Sequence, residues 1–95
     1  MTITVTLNLL GVRPFQLEEE VMVFDAGALP TLDQAIDLVD GRNPGFRAAM
    51  VDGSGRLSRS FAFLINGINA DYSGGPAAPL NTGDVINVIP AIAGG

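Results

Sequence analysis

Apolar and polar residues alternate along the first segment of the chain. Between Thr2 and Leu9, isoleucine, valine and leucine occupy every second position, and threonines and Asn8 occupy the positions between them. A period of two predicts a half-buried β-strand. A turn at residues 11–14 and a second strand at residues 16–24 follow, so the two strands are expected to form a hairpin.

The period of the pattern changes after residue 30. Apolar residues recur at helical spacing, at Leu32, Ala35, Ile36 and Val39. Thr31 and Gln34 have the spacing of a capping box, in which each side chain bonds the backbone amide of the other. An amphipathic helix of about nine residues is therefore predicted, with Gly41 just past its end and Pro44 beyond. Its apolar stripe would cover one face of a sheet.

The second half of the chain adds shorter elements. Residues 45–50 are predicted to form a helical turn that places Phe46 and Met50 in the core. Residues 61–65 are predicted to form a strand that is either buried on both faces or central in the sheet. Asn66-Gly67 favours a two-residue hairpin turn into a short strand at Ile68. The last strand, residues 84–89, has β-branched residues at both parities, as a central strand does.

The order of these elements predicts an α+β fold of the β-grasp, ubiquitin-like type. Four to five strands would form a mixed sheet, with the first and last strands paired in parallel at its centre and one main helix packed on one face. Residues 1–90 would form this domain, and residues 91–95 a flexible C-terminal tail.

Composition narrows the possible chemistry. The 95 residues suffice for one domain, and 47% hydrophobic with 16% charged residues indicates a globular chain. Without cysteine or histidine, thiolate chemistry, zinc–thiolate sites and the usual general base are unavailable. We therefore expect a protein that is not itself an enzyme and that binds no metal and no cofactor.

The charge of the chain points to protein partners. Ten carboxylates and five arginines give a net charge of −5, which disfavours nucleic acid and anionic membranes. Such a charge steers a protein toward a basic patch on a partner or simply keeps it soluble, and both interpretations stay open. The chain has no lysine, so only its N-terminal amine could accept an isopeptide-type linkage, and polymers of the chain with itself are not expected. No signal peptide or membrane-spanning stretch is visible, and a cytoplasmic location is expected.

Three polar stretches could hold a ligand, but each has a simpler interpretation. The glutamates at 18–20 would form either a metal cluster or a solvated strand face. Asp33 and Asp37, one helical turn apart, would form either a metal-binding pair or an exposed helix face. The loop at residues 52–56 would be a phosphate cradle or a plain turn. The simpler interpretation is favoured in every case.

The C-terminal tail is the candidate functional segment. Pro90 cannot donate a ladder hydrogen bond, so it is expected to end the last strand and release the backbone. The tail then reads Ala91, Ile92, Ala93, Gly94 and Gly95, which spans at most roughly 17 Å. Two glycines lack a Cβ and fit a channel that admits only bare backbone. We expect the Gly95 carboxylate to be the functional group.

Several motifs resemble the MoaD/ThiS family of small sulfur carriers. They are Asn43-Pro44-Gly45-Phe46, residues 52–57, Ile65-Asn66-Gly67, Ser73-Gly74-Gly75 with Pro79-Leu80 and Gly83-Asp84, and the ending from Ile89 to Gly95. The ending is most similar to that of carriers dedicated to cysteine synthesis, which reads proline-alanine-aliphatic-alanine-Gly-Gly.

The resemblance implies a definite chemistry. A ubiquitin-activating-like adenylyltransferase would use ATP to adenylate the Gly95 carboxylate, and sulfur would then replace AMP to leave a thiocarboxylate. A sulfur-acceptor enzyme of cysteine, molybdopterin or thiamine biosynthesis would take up the sulfur. Ala91, Ile92, Ala93 and Gly94 would thread through the partner's active site, and the exposed sheet face near the tail would dock on it. Phe61 and Phe63 belong to the core or are split between core and docking face, with the core favoured.

Three alternatives stay open. Some phage tail-assembly proteins carry a similar domain in a structural role, usually with further sequence after it. Because this sequence stops at Gly95, that interpretation is less favoured. A protein modifier joined through Gly95 to a target lysine would share the activation chemistry. In the third alternative, the chain is an inert ubiquitin-like domain and its Gly-Gly ending is incidental.

Overall fold

A five-stranded mixed sheet with helices on one face forms the body of the protein, in a computed structural model that describes residues 1–10 and 19–91. The strands are β1 (Thr2–Leu9), β2 (Glu19–Asp25), β3 (Phe61–Ile65), β4 (Ile68–Asn69) and β5 (Val85–Pro90). The α-helices are α1 (Leu32–Arg42) and α2 (Phe46–Met50), and short 3-10 turns cover Ala26–Ala28, Ala70–Ser73 and Gly75–Ala77. The predicted α+β, β-grasp class is confirmed.

The first and last strands lie together inside the sheet, as predicted. The strand order is β2-β1-β5-β3-β4, with β1 and β5 parallel and the other neighbouring pairs antiparallel. The parallel register pairs Thr6 with Val85 and Leu9 with Val88. The predicted turn at residues 11–14 and the start of the second predicted strand, residues 16–18, lie outside the described residues.

The core fills the space between one sheet face and the two helices. Its fully buried side chains include Val5, Leu7, Met22, Leu32, Ile36, Val39, Phe46, Met50, Ile86 and Val88. The predicted burial of Phe46 and Met50 is confirmed.

Strand β3 lies inside the sheet between β5 and β4, which confirms the central position, but it is buried on one face only, so burial on both faces is wrong. Phe63 and Ile65 lie in the core, whereas Ala62 and Leu64 are half-buried on the other face, which no helix of the described chain covers. Phe61 packs against the edge of the core. Phe61 and Phe63 are two residues apart in a strand and share a face, which excludes the split between core and docking face.

Helix α1 begins as predicted and ends later. The Thr31 hydroxyl accepts from the Gln34 amide at 3.4 Å, and the Gln34 side chain accepts from the Thr31 amide at 3.2 Å, which confirms the capping box. The helix runs eleven residues and includes Gly41, so Gly41 does not end it. The last helical residue is Arg42, and Asn43 caps the helix: its backbone amide donates to the Val39 carbonyl at 2.8 Å and its side chain donates to the same oxygen at 3.3 Å.

Glu20 corrects the interpretation of the glutamates as a solvated face. It pairs with Leu7 in the ladder and therefore shares the core face. Its side chain is 17% exposed, and its carboxylate accepts from Arg42 at 3.1 Å and from Asn43 at 3.3 Å. Glu20 thus ties β2 to the end of α1. Glu19 is exposed, and residue 18 lies outside the described residues.

A polar link joins the β3–β4 hairpin to the turn before β5. Asn66 and Gly67 both have positive φ, 52° and 84°, as the predicted two-residue turn requires. The Asp84 carboxylate, 9% exposed, accepts from the Asn66 side chain and from the Asn81 amide, both at 2.8 Å. Asn66 also accepts from the Val85 amide at 3.0 Å. The start of β5 is therefore fixed by side chains.

None of the helices in the described ranges is long and apolar enough to cross a membrane.

Candidate functional site

The last described residue, Ala91, is held to the loop that precedes β3. Pro90 pairs with Phe61 as the final residue of β5, and the Ala91 amide donates to the Ser60 carbonyl at 2.9 Å. The backbone is therefore attached to the body one residue beyond Pro90, where release was expected. We call this segment, Pro90 and Ala91 with Ser60, the tail root.

One cavity lies beside the tail root, and a second cavity adjoins it. The first, of about 350 Å³, is lined by Ala91 and by residues of β3, β4 and the loops beside them, among them Ser58, Arg59, Phe61, Asn69 and Asp71. The other, of about 450 Å³, shares Arg59 and Asp71 with it and adds Asp52 and Arg56. The region next to the tail is thus polar and carries charges of both signs.

The loop at residues 52–56 is organised around its own carboxylate. One Asp52 oxygen accepts from the Ser54 hydroxyl at 2.7 Å and from the Ser54 and Arg56 amides at 2.9 and 3.1 Å. These bonds, the Ser54 hydroxyl first, lower the pKa of Asp52 below its ordinary value. Since these amides already bond Asp52, the turn interpretation is confirmed over the phosphate cradle.

The open face of the sheet presents a half-buried apolar area next to the tail root. Ala62, Leu64 and Ile89 lie there on neighbouring strands β3 and β5, since Ala62 pairs with Ile89. The Asn8 side chain donates to the Asn87 side chain at 3.0 Å across the same face. This is the face that the sequence predicted to be the docking side.

The acidic pair on α1 binds an arginine. Arg47 forms ion pairs with Asp33 at 2.8 Å and with Asp37 at 3.4 Å, and its amide donates to Asp40 at 2.9 Å. The hydrogen bond to Asp33 raises the pKa of Arg47 above its ordinary value. These carboxylates thus hold α2 against α1. Within residues 1–10 and 19–91, no three acidic side chains converge as a metal site would need.

Of the five predicted site residues, the structure describes one. Ala91 lies at the tail root, whereas Ile92, Ala93, Gly94 and Gly95 lie outside the described residues. The contact of Ala91 with Ser60 was missed from the sequence, because it joins two backbone groups and no side-chain pattern encodes it.

Comparison with known protein families gives a match over most of the chain. A family model described as the ThiS family matches residues 12–95. The structure is similar to a chain in the crystal structure of the Amycolatopsis orientalis BexX/CysO complex, with a TM-score of 0.78 and 26% identity over 96% of this chain and 99% of that chain.

Two further solved structures share the fold at lower identity. Small archaeal modifier protein 1 from Methanosarcina acetivorans has a TM-score of 0.76 and 18% identity, covering 100% of this chain and 99% of that chain. Urm1 from Trypanosoma brucei has a TM-score of 0.75 and 20% identity, covering 99% of this chain and 97% of that chain. A search of curated proteins found no match.

Proposed function

This chain belongs to the ThiS family, and from that premise we propose that it is a sulfur carrier protein whose Gly95 carboxylate is the group that carries sulfur. A carboxylate oxygen of Gly95 would attack the α-phosphorus of ATP in a ubiquitin-activating-like adenylyltransferase, and pyrophosphate would leave. A sulfur nucleophile would then displace AMP from the acyl-adenylate and leave a thiocarboxylate. The chain itself is a protein co-substrate in this scheme, and ATP is bound by its partner.

The attachment of the tail is the observation that supports this proposal most directly. β5 is paired on both sides, and Ala91 is bonded to Ser60, so the position from which the tail extends is fixed. The four residues after Ala91 span at most roughly 14 Å when extended. A carboxylate at that distance from a folded body can enter a narrow channel while the body stays outside.

The open sheet face next to the tail root provides a docking surface for the partner. Ala62, Leu64 and Ile89 are half-buried apolar side chains on the same side as the polar Asn8–Asn87 pair. Interface centres combine apolar area with a few hydrogen-bonding groups. The similar chain at 26% identity was solved in a complex named BexX/CysO, which supports a protein partner. A sulfur-acceptor enzyme of cysteine or cofactor biosynthesis would be the second partner, and the reaction would take place in the cytoplasm.

Intact-mass spectrometry tests the proposal. The wild-type chain is incubated with its cognate adenylyltransferase, ATP and a sulfide donor. We expect a mass gain equal to the difference between sulfur and oxygen, which is absent without ATP and in a variant that lacks Gly95. The variant should unfold at the same temperature as the wild type, because it keeps every contact described for residues 1–10 and 19–91. A wild-type chain that gains no mass in the complete mixture would contradict the proposal.

A protein modifier is the second candidate, because the shared fold includes a protein named as a modifier. Covalent adducts in a lysate that disappear with the Gly95 deletion, without a thiocarboxylate, would identify that activity. The family match supports a carrier or modifier rather than the phage tail-assembly alternative.

A further inference from the structure

The arginines of the described chain fall into two groups. Arg42 is paired with Glu20 at 3.1 Å, and Arg47 is paired with Asp33 at 2.8 Å. Arg56 and Arg59 are exposed, and neither guanidinium forms an ion pair with another described residue. An exposed guanidinium presents a planar set of donors that matches a carboxylate.

Arg59 lies beside the tail root, and Arg56 lines the cavity that adjoins it. Arg59 directly precedes Ser60, whose carbonyl holds Ala91, and it lines the cavity that Ala91 also lines. Arg56 and Arg59 together line the adjoining cavity. A protein that receives the tail therefore approaches Arg59 directly, and a surface that extends over the adjoining cavity also meets Arg56.

The charge near the tail root differs from that of the rest of the molecule. Asp52 and Asp71 lie near the two arginines, so this cluster is formally neutral. The remaining three arginines and eight carboxylates account for the net charge of −5. The Asp52 carboxylate is already satisfied by bonds within its own turn. A negatively charged surface is thus repelled by the rest of the body and meets available donors at the tail root.

We propose that Arg56 and Arg59 bind an acidic surface at the entrance of the activating enzyme's tail channel, an inference that rests on the proposed function. Charges at the rim of an interface act mainly on encounter and orientation, and salt weakens them. Their task here would be to align the body so that the tail enters the channel. The reaction at Gly95 itself would not depend on them.

Steady-state activation kinetics test this inference. Pyrophosphate release is measured with the cognate adenylyltransferase, ATP and an excess of a sulfide donor, which displaces AMP so that the enzyme turns over, across a range of carrier concentrations. Arg59→Gln should raise the KM for the carrier up to about fivefold, and the double variant Arg56→Gln/Arg59→Gln on the order of tenfold, with kcat unchanged. Arg59→Lys keeps the charge and should restore most of the loss. The differences should shrink at roughly 0.5 M salt, because the screening length then falls to a few ångströms.

Ala28→Glu is the matched control. Like Arg59→Gln, it makes the net charge more negative by one unit, but Ala28 is exposed and lies near the start of β1, at the opposite end of the sheet from the tail root. It should leave KM within about twofold of wild type if position matters more than total charge. All variants change exposed side chains, and far-UV circular dichroism checks that they are folded.

The outcomes separate this inference from the proposed function. If the wild type is activated and the arginine variants have its KM, the inference is wrong and the carrier function stands. If Ala28→Glu raises KM as much as Arg59→Gln does, total charge explains the effect and the inference is wrong. If the wild type is not activated, both fail. ATP binding by the isolated chain that is lost in the double variant would assign the arginines to the nucleotide and overturn the inference.

Discussion

Replacing Asn66 by alanine should test how the fold fixes the start of β5. The Asn66 side chain donates to Asp84 at 2.8 Å and accepts from the Val85 amide at 3.0 Å. Asn66 also adopts a positive φ of 52°, which asparagine tolerates and alanine does not. The Asn66→Ala variant therefore loses two hydrogen bonds and gains backbone strain.

The expected cost follows from these contacts. Asp84 is 9% exposed, and removing one donor from a buried charged acceptor costs about 1–3 kcal/mol. Alanine in the left-handed region adds roughly 1 kcal/mol of strain that asparagine largely avoids. The free energy of unfolding should thus fall by about 2–4 kcal/mol, which lowers the melting temperature of a domain of this size by roughly 10–30 °C.

Far-UV circular dichroism during urea and thermal unfolding is a suitable assay, because the chain has no tryptophan and its single tyrosine, Tyr72, is 87% exposed. Asn66→Gly should be less destabilising than Asn66→Ala by about 1 kcal/mol, since glycine accepts the positive φ. The control is Asn81→Ala, the same change at an exposed position whose backbone, not side chain, bonds Asp84. The reasoning is refuted if Asn66→Ala and Asn81→Ala have the same stability.

Three further predictions concern the body. Glu20→Ala should lower the free energy of unfolding by about 1–2 kcal/mol, because it leaves the end of α1 without its carboxylate partner; urea unfolding measures this, and a change below about 0.3 kcal/mol would contradict it. Phe46→Ala should cost about 3–5 kcal/mol because Phe46 is fully buried, and equal melting temperatures would contradict that burial. NMR titration should show that Asp52 has a pKa below its ordinary value of 3.8. Because the pKa of Asp52 is lower in the folded than in the unfolded protein, Asp52 stabilises the fold fully above the unfolded pKa, and this stabilisation is lost as the pH falls through the folded pKa. Ser54→Ala should shift the pKa of Asp52 back upward.

The sequence predicted the elements whose causes are local. The alternation of β1, the Thr31–Gln34 capping box and the Asn66-Gly67 turn each depend on residues within a few positions of one another, and the structure confirms all three. The parallel pairing of β1 and β5 was predicted from the single helix that covers one sheet face and from the β-branched residues at both parities of the last strand. These signals determine the fold because each segment alone favours the conformation that it adopts.

The sequence did not predict the contacts between distant segments. Glu20 meets the end of α1 across 22 positions, Arg47 reaches Asp33 across 14, and Ser60 holds Ala91 by backbone groups. Gly41 continues the helix because Asn43, supported by Glu20, caps it two residues later. Such outcomes depend on the assembled sheet, so residue spacing alone does not reveal them.

The parallel pairing of β1 and β5 also determines how the protein resists mechanical load. A pull along β5 in the direction of its C-terminal end, opposed at the N-terminal end of β1, slides the two strands past each other lengthwise. The four register pairs between them, from Thr6–Val85 to Leu9–Val88, then share the force and must rupture together. A force applied in this geometry is therefore borne by all four pairs at once, and β5 does not separate from β1 pair by pair.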